Sequence, residues 1–278
     1  MARARSWVTR ERRARSTYSP SRDGSGSRHS PAILSSGQPR SLPISRRRLP
    51  LPRTDRAQPP ALPFTPVERR LIARLRTPAA VQRWLNGLPY NEERGGETLR
   101  SFRGVVRTGT AHCFEAAMAA AVILEQHRYP PLVLSFESID LLDHVLFVYR
   151  GPRGWGSVAR SRDPGLHGRT PVFATPRALA LSYFDGYIDF TGRITAYAVV
   201  DLRVLGDYDW RLAGANIWKA ERLLLEWPHR RITSSDARAD RLRRRYRAFR
   251  DAHGFKPWKY YKGRERWTEL PPEFRSRG

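Results

Sequence analysis

From Phe64 onward apolar positions recur with regular periods, and before it they do not. In TPVERRLIARL, Val67, Leu71 and Leu75 recur at i, i+4, while Thr65, Pro66 and Glu68 supply an N-cap, a first-turn proline and a capping-box partner. This predicts a helix opening at Thr65. TPAAVQRWLNG repeats the start at Thr77-Pro78, with Val81, Trp84 and Leu85 apolar and Asn86-Gly87 as a stop. Residues 88–108 read as a loop with a short extended piece. A helix over about 111–127 follows, apolar nearly all round from Phe114 to Leu124, a pattern that belongs at the centre of a domain.

The period then changes to that of strands. PLVLSFES (131–138) is a continuous apolar run. HVLFVYR (144–150) sets His144, Leu146 and Val148 on one face and Val145, Phe147 and Tyr149 on the other. GPRG is a turn, WGSVARS (155–161) a return strand, and RITAYAVVDL (193–202) a further strand. Thr175-Pro176 opens a helix running to about Tyr183. ANIWKAERLLLEW (215–227) reads as a helix capped near Asn216, and a last helix runs from the Ser234-Ser235-Asp236 cap to about His253. Helices first, an antiparallel sheet of three or four strands, then more helix is an α+β plan.

Composition changes the picture at the two ends. The chain's formal charge is +25, but residues 1–60 hold 14 Arg against 3 acids and residues 231–278 hold 15 Lys or Arg against 6. Residues 1–62 also contain 11 Ser and 8 Pro, with Trp7 and Tyr18 as their only aromatics. Such a segment buries too little apolar surface to offset its ordering entropy, so a disordered tail is expected there. The expected organisation is a tail over 1–62, a folded domain over 63–232, and a basic helix and tail over 233–278. Basic residues are almost all Arg, a skew that base composition explains as readily as nucleic-acid binding does. No stretch approaches the ~20 apolar residues of a membrane span, and the N-terminus lacks an apolar signal region. A cytoplasmic protein is expected, although a transit peptide would share the Arg- and Ser-rich composition.

The chemistry centres on GTAHCFEAAMAAAVILEQ (109–126), which holds the chain's one cysteine, Cys113. A lone thiol excludes a disulfide framework and a Cys-x-x-Cys site. Free cysteine is often a small buried plug, so a structural thiol is one expectation. The other rests on position: in a helix's first turn, unsatisfied N–H groups and the macrodipole lower a thiol pKa and offer donors to an oxyanion. A nucleophilic thiol also needs a base with an orienting partner. His144 opens a strand 31 residues later. With a tight turn at Pro152-Arg153 it faces Ser161, and with a wider loop Asp163 comes level with it. His112, at i−1 from the cysteine, is expected to project to a different side of the helix. His29 falls in the tail, His127 at the helix's far end, His167 in a loop, and His229 and His253 near helix ends. No pair has zinc-site spacing, so neither metal nor cofactor is expected.

These residues carry a resemblance. A helix-initial Cys on a buried helix, a strand-initial His and an acid or polar residue on the next strand resemble the transglutaminase-like domain of the papain-like cysteine enzymes. TPAAVQRWLNGLPYN is similar to that family's lead-in helix and loop, and DHVLFVYRGPRGWGSVARS to its His-strand, turn and return strand. The resemblance spans 64 to about 205. It implies a thioester-forming hydrolase or acyltransferase acting on a peptide or protein, with Cys113 as nucleophile, His144 as base and Asp163 or Ser161 as orienting group. One departure stands out: the Asp that normally ends the return strand is absent from Val158-Ala159-Arg160-Ser161. Asp163 or Ser161 fills its place, or the triad is broken and the protein is a binding scaffold whose basic ends hold an anionic partner such as nucleic acid. RLRRRYRAFRDAHGFKPWKYYKGRERW (241–267) interleaves cations and aromatics as single-strand binders do. Its Leu242, Tyr246 and Phe249 equally form a stripe for docking on the domain. The aromatic stretch 166–194 reads as packing or as a groove wall, and DYDWR (207–211) as a surface ion-pair network.

Overall fold

The computed structural model describes residues 58–141 and 143–253. The Arg/Ser/Pro-rich tail and the 254–278 end of the basic segment, on which sequence expectations also fall, lie outside the described residues. Four helices come first: α1 (Pro66–Arg74), α2 (Pro78–Gly87), α3 (Phe102–Thr108) and α4 (Cys113–Glu125). Thr65 and Glu68 make the reciprocal capping box that their spacing predicts. Thr77 caps α2 through the Ala80 N–H. Helix α3 was not expected; Gly104 and two valines weaken its intrinsic signal, and Ser101 caps it from outside.

The strands are β1 (Leu132–Ser138), β2 (His144–Gly151), β3 (Gly154–Val158), β4 (Arg169–Phe173), β5 (Ile194–Asp201) and β6 (Arg230–Arg231). They form one sheet in the order β4-β3-β2-β1-β5-β6, every neighbouring pair antiparallel. The later helices are α5 (Pro176–Leu181), α6 (Phe184–Tyr187), α7 (Trp218–Glu226) and α8 (Asp236–His253). The protein is an α+β fold, with six strands among the described residues rather than three or four. The two unforeseen strands are the edges. β4 carries Pro171, which only an edge tolerates because it cannot donate to a ladder. β6 is two exposed arginines, a short charged edge that resists further pairing.

Period-two alternation splits the interior in two. Val133, Val145, Phe147, Ala198 and Val200 face one core with the helices α1 to α4 and α7. Leu134, Phe136, Leu146 and Val148 face a second core with α5, α6 and the start of α8. Helix α4 runs through the first core with every residue from Phe114 to Glu125 buried, and its alanines let β2 and α3 approach closely. Helix α8 docks by Ala239 and Leu242, by Tyr246 edge-on against Phe190 at 5.0 Å, and by Arg238 on Asp185 at 2.7 Å. Arg241, Arg244 and Arg247 face solvent.

Two further expectations need correction. Asn216 does not cap α7: its amide oxygen accepts from Leu99 N–H at 2.9 Å, tying the 97–99 loop down, and Ile217 stands at the helix start instead. DYDWR is not a surface network, because Trp210 is fully buried and Arg211 makes a bidentate pair with Glu125 of α4 at 2.7 and 2.8 Å.

The end of β3 positions the site. The β2–β3 register (Phe147↔Val158 through Gly151↔Gly154) is that of the tight turn, with Gly154 at φ +141 closing it. Extended unchanged, that register would bring Ser161 opposite His144. The ladder stops at Val158 instead, because Gln82 of α2 takes both backbone groups of Ala159. Its Oε1 accepts from Ala159 N–H at 2.9 Å and its Nε2 donates to Ala159 O at 2.8 Å. The chain therefore leaves the sheet three residues earlier than expected and folds into a 3-10 turn, Pro164–Leu166.

Candidate active site

Cys113 is the first residue of α4, where a helix leaves its N–H groups without intrahelical partners. His112, Phe114 and Glu115 around it are buried, but Cys113 itself is only half-buried. Burial of the sulfur pushes the thiol pKa up, but hydrogen bonding and charge from two imidazoles, His112 and His144, outweigh it and lower it to about 5. It is a thiolate at neutral pH, the reacting form of cysteine.

His144 sits where the sequence places it, at the start of β2. Its ring is stacked parallel to Phe136 at 6.5 Å, with Tyr183 and Tyr187 tilted against it at the same separation. Its Nε2 donates to the Leu166 carbonyl oxygen at 3.1 Å, which leaves Nδ1 for the thiol. That carbonyl, and not Ser161 or Asp163, is what orients the base. Those two side chains act one step away. Ser161 Oγ accepts from Asp163 N–H at 3.1 Å, and Asp163 Oδ1 accepts from Gly165 N–H at 2.7 Å. With Leu166 N–H bonded to Asp163 O at 3.0 Å, they build the turn that aims the carbonyl. Sequence reasoning expected a side chain because β3 was expected to reach 161; the strand's early end substitutes a backbone group.

His112 is the residue that sequence reasoning missed. As the N-cap its backbone is extended (φ −93, ψ −173), so the i−1 geometry of a helix interior does not apply and its ring turns back onto the thiol. Its Nε2 donates to Thr98 O at 2.8 Å, and Glu93 and Glu115 stand 3.5 and 3.7 Å away. Burial would depress its pKa, but the hydrogen bond to Cys113 and the charges of Glu115, the thiolate and Glu93 raise it to about 9. The signal that would have found it is the capping-box spacing of His112 and Glu115, whose Oε2 accepts from His112 N–H at 3.2 Å.

Glu115 organises this side of the site. Fully buried, it accepts hydrogen bonds from Asn91 Nδ2 (3.0 Å), Thr98 Oγ1 (2.9 Å), His112 N–H and Arg100 N–H (3.2 Å). Residues 88–91 reach the helix start through a bridge between Tyr90 and Ala111. Burial and then the charges of Cys113, Glu92 and Glu93 push the Tyr90 phenol well up, so it stays protonated beside the thiolate. Arg160 and Arg162 stand over its ring at 5.7 and 5.1 Å.

His167 is engaged elsewhere, its Nε2 donating to Ser161 O at 2.9 Å. The aromatics of the 166–194 stretch are mostly core: Tyr183 and Phe184 are fully buried. A cavity of 440 Å³ lined by Arg76, Arg128, Arg150, Tyr129 and Tyr149 lies at the opposite end of α4, away from this chemistry. No protein-family model matches the chain, and no curated protein matches it. Among the described residues no helix is long and apolar enough to cross a membrane.

Proposed function

We propose that the protein is a cysteine-dependent acyl-transfer enzyme of transglutaminase-like type, acting on a peptide or protein through a thioester on Cys113. The observation that carries this is a half-buried, helix-initial thiol held below its usual pKa by two imidazoles, one of which, His144, has its Nε2 fixed by a carbonyl. A buried plug needs neither the imidazoles nor the carbonyl.

The steps follow from those positions. In the resting pair the thiol's proton already sits on His144 Nδ1, and the thiolate attacks the substrate carbonyl, forming the C–S bond. The oxyanion develops beside the first-turn N–H of Cys113 and the Tyr90 hydroxyl. His144 returns its proton to the departing amine as the C–N bond breaks. It then takes a proton from water, or from an acceptor amine, as that nucleophile attacks the thioester and Cys113 leaves as thiolate. The Leu166 carbonyl keeps the proton-bearing edge of His144 in one orientation throughout.

Incubating the full chain with p-nitrophenyl acetate tests the proposal. One acetyl group should appear on Cys113 in the intact mass and in the peptide that contains it, and Cys113→Ser should stay unmodified. Acetylation that is absent, or confined to lysines and hydroxyls, would count against a nucleophilic Cys113.

A further inference from the structure

Resting on that acyl-transfer reading, we propose that Cys113 works with two imidazoles of different duty: His144 carries the moving proton, and His112 is a stationary cation that keeps the sulfur ionised. The surroundings of the two rings carry the argument. His112 Nε2 donates to the Thr98 carbonyl oxygen at 2.8 Å, and the ring lies close enough to act on the Cys113 sulfur. With Nε2 committed to that carbonyl, only the doubly protonated ring can also donate to a thiolate. Two carboxylates within ion-pair distance, Glu93 and Glu115, balance that charge, and Glu97 also feels it. Arg100 stands behind Glu115 at 3.5 Å.

His144 has no such support. Its Nε2 meets a neutral carbonyl and its faces meet Phe136, Tyr183 and Tyr187. Among the described residues no carboxylate forms an ion pair with it. His144 is therefore the ring assigned the moving proton. The charged or titratable groups close enough to influence the sulfur are His112 and His144, with Tyr90 and Tyr187 beyond them, both held protonated by burial. Among the described residues, the two rings are the cations that act on the sulfur. A fixed cation serves both halves of the reaction: it stabilises the thiolate before attack, and it stabilises the same thiolate as the leaving group when the thioester is cleaved.

The lone cysteine makes the test clean, because alkylation reports on Cys113 alone. Iodoacetamide rates are measured from acid to alkaline pH on wild type, His112→Gln and His144→Gln, each checked for native unfolding behaviour. His112→Gln should move the midpoint of reactivity up by ~2 units while keeping the alkaline plateau. Acetylation by p-nitrophenyl acetate in this variant should be lost at neutral pH and regained in alkali, whereas His144→Gln should not be rescued by pH. An unmoved midpoint in folded His112→Gln would overturn the assignment. So would nitrogen-15 NMR of the wild-type chain showing His112 singly protonated at neutral pH. If the midpoint moves as expected but wild type never forms a thioester, the acyl-transfer reading fails while the stationary cation stands.

Discussion

His144→Gln is expected to slow acetylation of Cys113 by a factor of about 10² to 10⁴ at neutral pH, the range that one positioned acid–base group contributes. The glutamine amide still reaches the Leu166 carbonyl and retains much of the packing against Phe136, so the fold should survive with a small loss of stability. What disappears is the proton acceptor at the sulfur and the donor to the leaving group. Because His112 remains, the thiol stays partly ionised and iodoacetamide, whose iodide leaves unaided, should be slowed far less than the ester. That split between alkylation and acylation is the measurable signature. Equal losses in both would mean that His144 only tunes the sulfur and moves no proton.

Glu115→Ala is expected to be the most damaging substitution for stability among the charged residues. Its carboxylate is wholly buried and accepts from Asn91, Thr98, His112 and Arg100. Truncation strands several buried donors, takes from Arg100 the carboxylate it pairs with, and leaves His112 with Glu93. Stranding one partner of a buried ionic network costs about 3–5 kcal/mol, which for a folded unit of this size is a fall in Tm of roughly 10 °C or more. The exposed Glu92, 3.3 Å from Arg162, provides the comparison: Glu92→Ala should cost about 1 kcal/mol or less. Thermal unfolding of the two variants beside wild type decides this. Similar midpoints for both would mean that the network is not what secures the start of α4.

Much of this was legible in the sequence, and the residues show why. Thr-Pro starts and i, i+4 stripes fixed α1 and α2, because caps and periodicity are local. The alternation of Val145, Leu146, Phe147 and Val148 fixed both faces of β2, and with them the place of His144. What escaped was contributed by groups that carry no residue-type signal. The Leu166 carbonyl is backbone, and it arrives only because Gln82, 77 residues earlier in the chain, ends β3 at Ala159. His112 was misjudged by treating it as helical, when the N-cap is the one position at a helix start whose backbone points its side chain elsewhere. The edge strands were hidden for a related reason: Pro171 and the Arg230-Arg231 pair are the features that sequence rules read as breakers, and at an edge they are permitted.

The central claim is that Cys113 is ionised in the resting protein. The direct measurement is the ultraviolet absorbance of the thiolate against pH, with the curve of Cys113→Ser subtracted to remove tyrosine. Since the thiol pKa is depressed in the folded protein, the signal should be present at neutral pH and disappear as pH falls through about 5. A signal that appears only above about pH 8, as for a free cysteine, would contradict it.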